Sequence, residues 1–199
     1  MKESAYNKYM EQDVWYHGTT LSGWKNLCTQ KVEANYNLGT ELDFGTGFYL
    51  TPKYNQAEGY IKRILPYLYG ENKNDHTPIV IEFELNLSKL ESKYTHEKFL
   101  NYDERFAEFV LKNRNNPDEL IHNYDFVIGV MSDSNPVALL ADYRAKSLTR
   151  EELILKLQKG NSMEQLSLHN QEICDILKVR KATLIENGKE LDVDEYNKK

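Results

Sequence analysis

The sequence predicts an α+β fold, and three features carry that reading. Strand-like and helix-like segments are interspersed without the regular strand–helix–strand spacing of a doubly wound sheet. Residues 79–87 alternate cleanly, with Ile79, Ile81, Phe83 and Leu85 on one side and Glu82 and Glu84 on the other, the two-residue period of a half-buried strand. Several other stretches repeat apolar residues at helical spacing. With 199 residues, 40% of them hydrophobic, the chain fits one domain over 1–199. A domain of this size buries roughly 70% of the surface its unfolded chain exposes, so no staples are needed.

The elements follow in order. After a polar start, Val14, Trp15 and Tyr16 form strand-favouring sequence. Residues 20–29 repeat Leu21, Trp24, Leu27 and Cys28 at helical spacing, with Ser22 available as N-cap. The polar stretch 31–43 leads to Gly45 and Gly47 and then to a strand at Phe48, Tyr49 and Leu50. Thr51 and Pro52 signal a helix start, and Tyr54, Ala57, Ile61, Ile64 and Leu68 line one helical face until Pro66 kinks or shortens it. A polar loop at 70–78 precedes the alternating strand. Residues 103–113 and 136–146 read as helices flanking a strand at 124–131. Thr149 and Glu152 form a capping box, with Gly160 past that helix's end. A short strand at 165–169, a helix at 171–177 and a hairpin at 182–193 around Asn187-Gly188 complete the chain. That dipeptide suits a type I′ turn.

Composition narrows the function. Lys and Arg number 25 against 31 Asp and Glu, a net charge of −6. A generally basic nucleic-acid surface is thereby disfavoured, while a local basic groove stays open. Cys28 and Cys174 make neither a disulfide framework nor a metal-binding spacing, and no metal site is expected. Residues 1–13 lack an apolar signal-peptide core, and no run approaches the roughly 18 apolar residues of a membrane span. A cytoplasmic location without membrane attachment is expected.

Three segments could carry chemistry. His17-Gly18-Thr19 ends an apolar strand, and the glycine lets a flat ligand approach the backbone; the plainer reading is a hydrogen-bonded structural histidine. Residues 43–51, Asp-Phe-Gly-Thr-Gly-Phe-Tyr-Leu-Thr, could cradle a ligand, but they are neither GxGxxG nor a P-loop, and a tight turn into a buried strand explains them as well. Glu164-Gln165 heads a strand, where polar residues commonly mark a surface end.

In this order the segments resemble the ADP-ribosyltransferase superfamily, in the branch with a His-Tyr-Glu triad that includes diphtheria toxin and the poly(ADP-ribose) polymerases. Tyr60 follows Tyr49 by eleven residues, the spacing of that branch's second nicotinamide-stacking tyrosine. The sequence is more closely similar to the DUF3990 family. It shares Tyr-His-Gly-Thr at 16–19, Asp-Phe-Gly-x-Gly-Phe-Tyr-Leu-Thr at 43–51, Tyr-Asp-x-Val-Ile-Gly at 124–129 and Gln-x-Ser-x-His at 165–169. The likeness covers about residues 14–178.

The resemblance implies a split β-sandwich of two antiparallel sheets surrounded by helices, with NAD in the cleft between the sheets, the helix at 53–68 bordering it, and the segment 182–193 as an extension. It implies a mono-ADP-ribosyltransferase, of a kind used as bacterial toxins or effectors, that takes NAD as substrate and modifies a protein or nucleic-acid acceptor. An antitoxin-like inhibitor protein is a conceivable partner. By resemblance His17 bonds the adenosine-side ribose, the Gly18 backbone pairs with the nicotinamide carboxamide, and Tyr49 and Tyr60 cover the nicotinamide faces. Thr19, Phe44 and Gly47 line the pocket, and Gln165 holds the nicotinamide-side ribose. His17, Tyr49 and Gln165 stand as the catalytic triad.

Two positions depart from the pattern. Gln165 replaces the triad glutamate; it exchanges hydrogen bonds but cannot ionise or act as a base, which disfavours chain growth. Ala57 stands where the polymerases use a serine on the carboxamide. The neighbouring Glu164 could supply charge, though adjacent strand residues face opposite sides. An NAD glycohydrolase and an inactive NAD or ADP-ribose-binding module remain alternative readings. His76, His96 and His122 are expected to be solvated, and Cys28 and Cys174 to be small core residues.

Overall fold

The computed structural model describes residues 3–35, 42–67, 77–117, 119–132, 136–158 and 160–198. Among these, β1 (Val14–Thr20), β3 (Pro78–Glu84) and β7 (Lys178–Leu184) form an antiparallel sheet in the order β1-β3-β7. A second sheet has the order β2-β6-β5-β4, from β2 (Phe48–Leu50), β4 (His96–Phe99), β5 (Phe126–Ser132) and β6 (Gly160–Leu168). The helices are α1 (Glu3–Glu11), α2 (Leu21–Gln30), α3 (Tyr54–Ile64), α4 (Leu87–Glu91), α5 (Glu104–Asn115), α6 (Pro136–Arg144), α7 (Arg150–Leu157), α8 (Gln171–Asp175) and α9 (Asp194–Asn197). The expected α+β class is present.

The second sheet corrects the expectation of two antiparallel sheets: β4 runs parallel to β5, so this sheet is mixed. Parallel neighbours need a crossover, and α5 provides it. The sequence hid β4 because His96, Glu97 and Lys98 are polar and only Phe99 is buried.

Each sheet's alternation sorts its side chains between two cores. Trp15, Ile79, Ile81 and Phe83 from the first sheet meet Phe48, Leu50, Phe126, Ile128, Leu166 and Leu168 from the second. Val127, Val130 and Phe99 point the other way, to α5, α6 and α7, around Phe106, Val110, Leu153 and Leu157. The facing surfaces of the sheets are therefore filled with side chains. The two sheets touch through Tyr16 and Thr51 and part beyond them, between β1 and β2.

Several boundaries moved for local reasons. Residues 3–11 form a helix because Tyr6, Tyr9 and Met10 drop into the main core. Thr20, not Ser22, caps α2, its hydroxyl accepting from the Gly23 N–H. Pro66 lies in a 3₁₀ turn at Leu65–Tyr67 that ends α3; the expected helix end at Leu68, residues 36–41 of the first loop and 70–76 of the second, His76 among them, lie outside the described residues. Gly160 opens β6, which is longer than the expected strand at 165–169, and α8 stops at Asp175. The Thr149–Glu152 capping box forms as read. Only Gly188 of the last turn has positive φ (68°), and Leu184 N–H bonds the Lys189 carbonyl, so the hairpin closes through four residues rather than a type I′ pair. Asp125 ties β4 to α8: its carboxylate accepts from the Thr95 N–H at 2.7 Å and from Asn170 Nδ2 at 2.7 Å.

Candidate functional site

The site grows out of the seam between β1 and β2. Tyr16 and Thr51 exchange both backbone hydrogen bonds, at 2.9 and 2.8 Å, and join the two sheets there. A continuous antiparallel ladder would next pair Gly18 with Tyr49. Instead His17 Nδ1 donates to the Tyr49 carbonyl at 2.8 Å, taking the acceptor that the Gly18 N–H would have used. The imidazole thus wedges the strands apart. Gly18 points its N–H and C=O along the same edge as Tyr16, away from β3, with no partner recorded among the described residues.

The carbonyl also fixes the tautomer of His17. Nδ1 must carry the proton, leaving Nε2 as an acceptor. Burial lowers the pKa of this imidazole, against the opposing bond to Tyr49, so it is neutral at pH 7. The ring stacks on Phe48 with centroids 4.7 Å apart.

Gly18 has a second reason to be glycine. A Cβ there would run into the Ala57 carbonyl and sit 3.1 Å from Ile61 Cβ, because α3 packs directly on this strand. Ala57 is buried and holds α3 against the seam. Thr19 packs under the first turn of α2, against Gly23. Tyr60 is 46% exposed on α3, beside the Arg63 guanidinium.

Beyond the seam, the loop 43–47 is built around Tyr49. The tyrosine hydroxyl donates to the Gly45 carbonyl at 2.7 Å and accepts from the Phe44 N–H at 3.1 Å. Burial raises its pKa, so it stays a neutral phenol. Four consecutive carbonyls are taken by side chains: Asp43 by Asn113 Nδ2 (3.4 Å), Phe44 by His122 Nε2 (2.9 Å), Gly45 by Tyr49 and Thr46 by His169 Nδ1 (2.7 Å). An irregular buried segment has no ladder to satisfy its backbone, and these donors replace one. Gly45 takes φ of +81°, and a Cβ on Gly47 would come within 2.5 Å of Ser167 Oγ.

His122 is therefore not solvated as expected; it is partly buried, stacks on Phe109 and meets His169 edge-on at 4.6 Å. His96 likewise stacks on Phe126 at 5.0 Å. His169 acquires a role that its spacing alone did not supply. Burial, reinforced by His122, pushes its pKa down to about 3. A histidine with a lowered folded pKa costs stability as pH falls, because the unfolded chain takes up the proton first, near pH 6.5. Lowering the pH from 7 to 5 should therefore cost about 2 kcal/mol of unfolding free energy through His169 alone. Urea titrations at both pH values check this, and His169→Gln should remove most of that difference.

Gln165 sits at 8% exposure on the outer face of the second sheet and donates from Nε2 to Asp43 Oδ2 at 2.9 Å. Asp43 is the residue the sequence reading passed over. Its carboxylate also accepts from Arg114 Nε (3.0 Å) and Nη2 (2.7 Å) and from Ser132 N (2.8 Å) and Oγ (2.6 Å), all buried. It heads the 43–51 motif, but its role needs tertiary contact, since Arg114 lies 71 positions away and Ser132 89. Glu164 faces the other way and is held by Lys53 at 2.9 Å. Cys28 and Cys174 are both buried in the main core. Among the described residues no group of three His, Cys, Asp or Glu is placed to hold a metal ion, and no helix is long and apolar enough to cross a membrane.

The class thus defined is an α+β protein of two sheets, opened at one seam by a neutral histidine and backed by a tyrosine-centred loop. The chain belongs to the DUF3990 family, described as a protein of unknown function, whose model matches residues 15–179. No curated protein and no solved structure matches it.

Proposed function

We propose that this chain is a mono-ADP-ribosyltransferase that cleaves NAD at the nicotinamide–ribose bond and passes ADP-ribose to a macromolecular acceptor. The observation that carries the reading is the wedge at the seam. One unpaired peptide edge at Gly18 offers a donor and an acceptor side by side, the complement of a carboxamide. Beside it, His17 Nε2 offers a neutral acceptor to a ribose hydroxyl. Tyr49, its hydroxyl anchored on the 43–47 loop, supplies a fixed ring for nicotinamide. Breaking the glycosidic bond sends the electron pair to the nicotinamide nitrogen and builds positive charge on the ribose, so a site that orients both halves lowers the barrier. Two sheets in an α+β fold, one antiparallel and one mixed, are compatible with this reading.

Nicotinamide release from NAD by the purified chain, alone and with bacterial lysate, tests this. Release with lysate, lost in His17→Ala/Tyr49→Ala, is the expected result, and protease or nuclease sensitivity of the labelled product names the acceptor class. Equal release without lysate would assign a glycohydrolase. A silent wild type that gains turnover as Gln165→Glu would overturn the transferase reading in favour of a binding module.

A further inference from the structure

We infer that Asp43 is a positioning residue that fixes which end of the Gln165 amide the site presents; the inference rests on the transferase reading above. An ionised carboxylate has no hydrogen to donate, so the Gln165 amide must turn its NH2 inward to Asp43. Its Oε1 takes no part in that bond and is left for a ligand. Arg114 and Ser132 hold Asp43 from the other sides and leave it no freedom to swing. The amide, polarised by a charge-assisted bond, therefore presents an acceptor only. Its ligand is a hydroxyl donor, which matches the nicotinamide-side ribose. The site thus obtains from an amide the acceptor function a glutamate would give, without a proton to lose. Of the titratable and charged groups around Gln165, Asp43 from the loop bonds it directly, Arg114 from α5 holds Asp43, and Tyr49 from β2 shares its face of the sheet; Glu164 points to the opposite side, paired with Lys53.

The near-isosteric variant Gln165→Glu tests the arrangement in the full chain. Beside Asp43, a glutamate can keep the geometry only by holding its own proton and donating it inward. Its carboxyl, followed by ¹³C NMR against the wild type, should titrate above about pH 6 instead of near 4.3. Its affinity for NAD should fall at least tenfold between pH 6 and 8.5, while the wild type stays within threefold. Titration near 4.3 with NAD binding intact would overturn this inference and leave the function standing. A raised midpoint in a chain whose wild type does not bind NAD would overturn the function, and with it the ribose as ligand, while the Asp43-dictated amide orientation would stand.

Discussion

Replacing Arg114 by methionine should lower the unfolding free energy by about 3–5 kcal/mol, because it leaves the Asp43 carboxylate buried without its counter-charge. Both side chains are almost wholly enclosed, 6% and 2% exposed. A surface pair would be worth far less. The same network joins loop 43–47, α5, β5 and β6, so its failure releases four segments together. Against a total stability of roughly 5–15 kcal/mol, the variant would approach the edge of folding. Urea unfolding at pH 7 measures the effect. The neutral pair Asp43→Asn/Arg114→Met should regain at least about 1 kcal/mol over the single change, since two apolar or neutral partners cost less than one stranded charge. A loss under about 1 kcal/mol for Arg114→Met would mean that solvent reaches Asp43.

Gly18→Val should cost about 3 kcal/mol with no NAD present, at the upper end for forcing atoms into a packed site. The first new carbon meets the Ala57 carbonyl, which belongs to the backbone of α3 and cannot rotate away. This outcome separates two reasons for the same glycine. If Gly18 served only the approach of a ligand, the variant would keep wild-type stability and lose only NAD binding. If the glycine is there for α3 as well, the urea midpoint falls before any ligand is added.

Much of the fold was legible because local rules and burial agreed. The alternation of residues 79–87 became β3, with Ile79, Ile81 and Phe83 fully buried. Asp103 caps α5 ahead of the helical spacing of Phe106 and Val110, and Thr149 with Glu152 caps α7. The resemblance picked out His17, Gly18, Tyr49 and Gln165 as candidate site residues, but not what they touch in the fold. His17 acts on the Tyr49 carbonyl, 32 positions away, and His122 and His169 grip carbonyls 78 and 123 positions away. Such partners leave no periodicity behind.

The sequence by itself determined the α+β class, the family and most elements, because period, capping and turn chemistry act over a few residues and need no distant partner. Only the tertiary structure decided that β4 pairs parallel to β5, that polar residues 3–11 bury Tyr6, Tyr9 and Met10, and that Asp43 governs Gln165. Each of these depends on which surfaces meet. A buried charge or a polar strand is stabilised by its partner alone, and that partner exists only once the chain has folded.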